Sequence, residues 1–151
     1  MYRKSSLRLA AWNYTSPGPY FVTVCTANRR PWFSDEALRG VVIDGLRRAA
    51  DELSVHVHDM VVASDHLHAL VTLPGWANVD LGKWVGRGKV LIGRRLAIGY
   101  PEGGQCPPLR RFWQNQFYDH VIRNDEDFRV KAQYIVNHPF KEPGFTWSEW
   151  H

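Results

Sequence analysis

The order of strand-type and helix-type apolar patterns constrains the fold of this chain more than any other feature. Runs rich in β-branched and aromatic residues predict four strands, over residues 20–26, 55–63, 65–73 and 117–123. Apolar residues at three- and four-residue spacing predict three amphipathic helices. The first begins at Ser34 as N-cap, the second covers residues 78–100, and the third follows Asn124 as N-cap and stops at Pro139.

The resulting order is strand, helix, strand, strand, helix, strand, helix. This order is typical of a ferredoxin-like α+β fold, an antiparallel sheet with helices packed on one face. The chain has 151 residues, the usual size of one domain. We therefore expect a single domain over residues 1–151, with the basic and aromatic residues 1–19 as an N-terminal arm on its surface.

Composition and the N-terminal sequence indicate the compartment in which we expect the protein. Hydrophobic residues make up 44% of the chain, and no apolar run approaches the roughly 18–20 residues of a membrane span. The N-terminus has basic residues but no apolar block or small-residue cleavage site, so no secretory signal is expected. Cys25 and Cys106 match no paired metal or redox spacing. We expect a cytoplasmic protein with free thiols and no membrane contact.

Two histidines stand one residue apart in the predicted strand 65–73. Successive strand side chains point to opposite faces, so His66 and His68 share one face. Neighbouring imidazoles can bind a divalent cation, but one pair is an incomplete ligand set. His56 and His58 have the same spacing on the preceding strand, where the alternating pattern favours exposed or hydrogen-bonded sheet residues.

The last predicted helix carries side chains that complete the histidine pair. Tyr134 and His138 are four residues apart and therefore project from the same side of the helix. They offer the third group that the strand histidines lack. The competing interpretation is that Tyr134 is a core aromatic residue of an amphipathic helix.

Basic and aromatic residues are interleaved along the chain. The net charge is +4, and aromatic residues make up 13% of the sequence. This combination favours single-stranded nucleic acid, because cations meet phosphates and aromatic rings stack on bases. The alternative for the second helix is a solvated face that keeps the protein in solution. The candidate backbone contacts are Arg87, Lys89, Arg94, Arg95, Arg110 and Arg111.

A set of motifs in fixed order runs along nearly the whole chain. They are Trp12-Asn13-Tyr14, residues 20–29, His66-Leu67-His68, Phe112-Trp113-Gln114, residues 118–124, Tyr134-Ile135, Asn137-His138-Pro139 and Trp147-Ser148. The histidine pair alone is a weak motif, whereas the ordered set is specific. With these motifs the chain resembles the small HUH transposases of single-stranded DNA, most closely the REP-associated tyrosine transposases.

This resemblance implies roles for the site residues. Tyr134 resembles the nucleophile that attacks a DNA phosphodiester and forms a 5′-phosphotyrosine link. His66, His68 and His138 resemble the ligands of a Mg²⁺ or Mn²⁺ ion, which helps a mostly protonated phenol to react and polarises the phosphate. Tyr118 is the fallback nucleophile. The implied partner is single-stranded or hairpin DNA, and the resemblance leaves open whether the protein works as a monomer or a homodimer.

The chain departs from the family pattern at two positions. His138 stands where relatives usually have Asn or Gln, and a third imidazole shifts metal preference from Mg²⁺ towards Mn²⁺ or a softer transition metal. Ser64-Asp65 replaces the usual Pro-Asn before the first histidine.

Two hypotheses compete with a tyrosine transposase. One is a non-catalytic module that binds single-stranded nucleic acid on the same sheet. The other is a hydrolytic metal nuclease that leaves no protein-linked strand.

Overall fold

One antiparallel sheet organises the computed structural model, which describes residues 3–4, 18–75, 78–98, 112–141 and 145–148. Its strands are β1 (Arg3–Lys4), β2 (Pro19–Cys25), β3 (His56–Val62), β4 (His66–Thr72), β5 (Tyr118–Val121) and β6 (Phe145–Ser148). The helices are α1 (Glu36–Leu53), α2 (Leu81–Ile98) and α3 (Asp125–Lys141). The sheet order is β1-β5-β2-β4-β3-β6. None of the described helices is long and apolar enough to cross a membrane.

The four inner strands have the ferredoxin-like arrangement. They lie in the order β5-β2-β4-β3 and are connected along the chain as β2-α1-β3-β4-α2-β5. β3 and β4 form the predicted hairpin, whose turn at Ser64 and Asp65 is closed by a hydrogen bond from Ala63 N to His66 O of 2.8 Å. The predicted α+β ferredoxin-like class is confirmed.

Alternating side chains along the strands create two apolar layers. Val22 of β2 is buried with α1 and α2 in the main core. Phe21, Val61 and Leu70 point to the other face and are buried with Ile135 of α3. The prediction of helices on one face therefore holds for α1 and α2, whereas α3 lies on the opposite face. The physical reason is that the central strands are apolar on both faces, so both need shielding from water.

Two helix boundaries differ from the sequence prediction. Asp35, rather than Ser34, is the N-cap of α1, because its Oδ1 accepts a 2.9 Å hydrogen bond from Ala37 N. Ser34 belongs to the preceding 3₁₀ turn, Trp32–Ser34. Helix α3 continues to Lys141 instead of stopping at Pro139.

The start of α3 agrees with the prediction. Asn124 Oδ1 accepts a hydrogen bond of 2.8 Å from Asp127 N, as an N-cap side chain does. The first turn also carries three acidic residues near the positive end of the helix dipole. Of the predicted arm, the structure describes only Arg3, Lys4, Gly18 and Pro19; the rest lies outside the described residues.

Candidate active site

The two strand histidines lie at the beginning of β4, on the face that α3 covers. Their neighbours Leu67 and Ala69 belong to the core under α1 and α2, so the imidazoles point the other way. The His66 and His68 ring centroids are 4.8 Å apart. The two-residue period of a strand thus produces the expected pair, and His68 is only 4% exposed.

Helix α3 brings its own pair of side chains to the same place. The His138 ring lies 5.6 Å from that of His66 and 5.3 Å from that of His68. Tyr134, one turn earlier, has its ring 5.4 Å from His68 and 5.7 Å from His138. The spacings predicted separately on a strand and on a helix therefore converge on one site.

The Tyr134 ring packs against the protein on one side and is partly exposed to solvent. Its ring packs edge-on against the buried Phe21 at 6.0 Å, and 40% of the residue is exposed. Lys131 Nζ lies 5.5 Å from the Phe21 ring centroid, which adds a positive charge beside the tyrosine. An open cleft of about 430 Å³ adjoins the site and is lined by Thr23, Cys25, Arg29, His66, His68, Tyr118 and Tyr134. A nucleophile in this position can be reached by a large substrate.

Both strand histidines have a hydrogen-bonding neighbour at Nδ1. Thr23 of β2 is directly opposite His68 in the sheet register, and its Oγ1 lies 2.8 Å from His68 Nδ1. Asp65 Oδ1 lies 2.7 Å from His66 Nδ1. A partner at Nδ1 orients the ring and leaves Nε2 as the nitrogen for a metal.

A bidentate ion pair adjoins His66. Arg29 donates from Nε to Asp65 Oδ2 at 3.0 Å and from Nη2 to Asp65 Oδ1 at 3.2 Å. Burial acts to raise the pKa of the Asp65 carboxyl, but the hydrogen bonds from Arg29 and His66 outweigh it and hold this pKa below its ordinary value. Asp65 is therefore ionised at neutral pH.

Two buried groups of the cleft, His68 and Cys25, are uncharged at neutral pH. Burial, followed by the charges of His66 and His138, lowers the pKa of His68 to about 3, so this imidazole is neutral. Burial also raises the pKa of the Cys25 thiol, which stays protonated near neutral pH. Tyr118 lines the same cleft as Tyr134, so geometry retains it as the second candidate.

The three histidines are a donor set that fits a divalent ion. One nitrogen from each of His66, His68 and His138 lies within 4.8 Å of the others. Imidazole nitrogens bind Zn²⁺ at about 2.0–2.1 Å, so the three side chains would move closer together to bind one such ion. Within the part of the chain that the structure describes, no other group of three or more potential ligands was found.

The rival histidine pair has a structural role. His58 Nε2 lies 2.8 Å from Thr72 Oγ1, and the His58 ring packs edge-on against Phe128 of α3 at 5.0 Å. His56 is exposed at the start of β3. These positions agree with the interpretation of exposed or hydrogen-bonded sheet residues.

The predicted DNA contacts on α2 lie on the opposite face of the sheet from the histidines. Arg87 makes a bidentate pair with Glu52, and its Nη2 is 2.9 Å from Glu52 Oε1. Lys89 donates to Gln114 O at 3.2 Å, and burial lowers its pKa. Arg94 and Arg95 are exposed. The other two predicted contacts, Arg110 and Arg111, lie outside the described residues.

Sequence reasoning missed two side chains of the site. Thr23 is a polar residue inside an otherwise apolar strand, which was an available signal, but its partner depends on the pairing of β2 with β4. Arg29 lies in the turn after β2, and nothing in the local pattern connects it with Asp65, 36 residues later.

The chain is similar to known transposases in sequence and in fold. The sequence profile of the IS200-like transposases matches residues 16–138. A REP-associated tyrosine transposase of Escherichia coli is 28% identical over 131 residues, which cover 85% of this chain and 70% of that protein. An uncharacterised protein of Haemophilus influenzae is 23% identical over 161 aligned positions, covering 92% of this chain and 89% of the relative. The solved structure of a REP-associated tyrosine transposase bound to a REP hairpin shares the fold, with a TM-score of 0.69 at 23% identity over 89% of this chain and 74% of that one.

Proposed function

The chain belongs to the IS200-like transposase family and is a tyrosine transposase, and from this premise we propose that it cleaves and rejoins single-stranded DNA through Tyr134. The observation that carries the proposal is the approach of the Tyr134 ring to within 5.4 Å of His68 and 5.7 Å of His138. Tyr134 and two of the three candidate ligands, His66 and His68, line one open cleft.

Tyr134 supplies the covalent step. Its phenolic oxygen attacks the scissile phosphorus, the Tyr134 O–P bond forms, and the P–O3′ bond breaks. The phenol proton passes to solvent, and the departing 3′-oxygen takes a proton from solvent. Because the 5′-phosphotyrosine link conserves the energy of the phosphodiester, a 3′-hydroxyl can later reverse the reaction and rejoin strands without ATP.

We propose that His66, His68 and His138 hold a divalent ion, Mg²⁺ or Mn²⁺, with Mn²⁺ favoured by an all-imidazole donor set. When bound, the ion neutralises charge on the phosphate and stabilises a phenolate. The neutral state of His68 means that no proton must leave this ligand before it binds a metal. Phe21 and the α3 backbone keep the Tyr134 ring beside the ligands.

Hairpin DNA is the proposed substrate. Support comes from the solved relative, which is bound to a REP hairpin, and from the positive charge of Lys131 near the Phe21 ring that packs against Tyr134. We also propose that Arg94 and Arg95 contact the DNA backbone away from the cleft; Arg87 and Lys89 would exchange intramolecular partners to join them. Because DNA is the substrate, we propose that the protein works in the cytoplasm.

Covalent trapping tests the function. The full chain is incubated with Mn²⁺ and a pool of 3′-labelled DNA hairpins with randomised stems and single-stranded flanks, and products are separated on a denaturing gel. We expect a protein-linked band for the wild type and for the matched control Tyr118→Phe, and none for Tyr134→Phe. Tyr134→Phe should still bind the trapped hairpin, because only one hydroxyl is removed.

Other outcomes contradict the proposal in distinct ways. Loss of the band in Tyr118→Phe with retention in Tyr134→Phe would assign the nucleophile to Tyr118. Cleavage without any protein-linked strand would indicate a hydrolytic nuclease, and binding without cleavage would indicate a non-catalytic module.

Salt dependence of DNA binding tests the proposed contacts on α2. Changing Arg94 and Arg95 together to Gln should lower the slope of log affinity against log salt concentration by about two. An unchanged slope would exclude these two residues as DNA contacts.

A further inference from the structure

The Asp65 carboxylate lies within hydrogen-bonding distance of the His66 ring. Its Oδ1 lies 2.7 Å from His66 Nδ1, while Thr23 Oγ1 lies 2.8 Å from His68 Nδ1. A metal-bound imidazole is usually oriented by such a partner on its other nitrogen. A carboxylate partner also makes the imidazole a stronger electron-pair donor to the metal. The two strand histidines therefore differ: His66 has a charged partner and His68 a neutral one.

Asp65 is itself held in place. Arg29 binds it through two guanidinium nitrogens, at 3.0 and 3.2 Å. The Arg29 side chain is 54% exposed, and a pair this exposed contributes little to stability. What the two parallel hydrogen bonds do provide is one fixed orientation of the carboxylate.

The turn that carries Arg29 is anchored to the same residue. Asn28 and Arg29 both have left-handed backbone conformations, with φ of 55° and 53°, which are unfavourable for residues other than glycine. Thr26 donates to Asp65 O from its backbone nitrogen at 3.0 Å, and its hydroxyl donates to Arg30 O at 2.7 Å. Backbone and side-chain contacts thus hold a strained turn where the Arg29 guanidinium meets the carboxylate.

The ion pair between Arg29 and Asp65 also reduces the repulsion between the Asp65 carboxylate and DNA phosphates. An unpaired carboxylate at the edge of a cleft that receives DNA phosphates would repel the substrate. Arg29 lines the cleft and balances the charge of Asp65. The carboxylate can thus orient an imidazole without leaving a net negative charge there.

We propose that Asp65, clamped by Arg29, is a positioning residue of the metal centre that presents His66 Nε2 to the ion, with Thr23 doing the same for His68. The inference rests on the metal site of the proposed function and adds the residues that organise it.

Metal affinity, measured without DNA, tests the proposal. Mn²⁺ is titrated into the metal-stripped full chain, and free Mn²⁺ is followed by electron paramagnetic resonance. We expect Asp65→Ala to weaken binding about 10- to 100-fold. Asp65→Asn keeps an oxygen that can accept from His66 Nδ1 and should lose less. Asp51→Ala removes an exposed carboxylate of α1 and should bind as the wild type does.

A visible absorption spectrum of the Co²⁺ form provides the second measurement. Asp65→Ala should change the ligand-field bands, whereas Asp65→Asn should largely restore them. Wild-type affinity in both Asp65 variants, or equal losses in both, would overturn the positioning role. If the wild type itself binds no Mn²⁺, the metal site of the proposed function fails, and this inference fails with it.

Discussion

At the scale of single residues, His138 sets the donor type of the proposed metal centre. It joins His66 and His68 in a three-imidazole set, with the ligand nitrogens within 4.8 Å of one another. Mg²⁺ prefers oxygen ligands, whereas imidazole suits borderline transition metals. We therefore expect the residue at position 138 to influence which metal ion supports the proposed reaction.

We expect His138→Asn to shift the metal preference towards Mg²⁺, because an amide oxygen replaces one imidazole. The ratio of the rate of covalent adduct formation in Mg²⁺ to that in Mn²⁺ should rise about 10-fold, on the order of 1.4 kcal/mol of relative transition-state stabilisation. His56→Asn, which changes an exposed histidine outside the cluster, is the control. An unchanged ratio in His138→Asn would mean that the third imidazole does not select the metal.

We expect His68 to make the stability of the metal-free protein depend on pH. Burial lowers its pKa from 6.5 to about 3, so between these values the unfolded chain binds a proton that the folded chain does not. The free energy of unfolding should therefore fall as pH decreases from about 6.5 towards 3, by up to about 4 kcal/mol for this group. The slope from His68 should fade over about one pH unit above 6.5, as the unfolded histidine also loses its proton.

Urea unfolding in EDTA across this pH range measures the effect. His68→Gln should flatten the acid dependence, whereas His56→Gln, at an exposed position of β3, should keep it. Parallel curves for His68→Gln and the wild type would show that protonation of His68 is not the cause.

At the scale of elements, the packing of α1 against α2 explains why residue 88 is a glycine, which the helical pattern of the sequence does not explain. Gly82, Gly86 and Gly88 weaken the helical prediction for this segment, yet α2 is continuous from Leu81 to Ile98. A Cβ at Gly88 would collide with the buried side chain of Leu46, whose Cα lies 3.6 Å away. Gly86 faces open space, with nothing within 4 Å of an added Cβ.

Alanine at these two glycines should have opposite effects. Gly88→Ala should destabilise the protein by about 1–2 kcal/mol, because overpacking outweighs the gain in helix propensity. Gly86→Ala should stabilise it by about 0.5–1 kcal/mol, since the propensity gain is unopposed. Chemical denaturation of the two variants gives both values. Similar values with the same sign would mean that the close helix contact does not limit residue size at 88.

At the scale of the whole molecule, one chain assembles the complete candidate site. β4 supplies His66 and His68, and α3 of the same chain supplies Tyr134 and His138. In a site shared between subunits, the tyrosine of one copy would serve the histidines of another. The observed arrangement favours a tyrosine that acts within its own chain.

Mixing two inactive variants distinguishes these arrangements. Tyr134→Phe keeps the metal ligands and His68→Gln keeps the tyrosine, so a shared site would regain activity in the mixture. We expect no covalent adduct from the mixture, and an adduct when either variant is mixed with the wild type. Recovery of adduct from the two variants together would show exchange of α3 between subunits of a homodimer.

The periodicity of residues within each element predicted the sheet and the two residue pairs of the candidate site from the sequence alone. The two-residue repeat of a strand aligned His66 with His68, the helical repeat aligned Tyr134 with His138, and the order of these patterns indicated the ferredoxin-like sheet. Such repeats direct side chains relative to their own element, so they are readable without a structure. Assignment of nucleophile and ligand roles came from resemblance, not from periodicity.

Only the tertiary structure decided which elements meet. It put α3 on the face opposite α1 and α2, because the central strands are apolar on both sides. It paired Thr23 with His68 and delivered Arg29 to Asp65, contacts between residues 45 and 36 positions apart. It also placed the basic residues of α2 away from the histidines. Strand register and helix docking depend on burial summed over the whole core, which no local pattern contains.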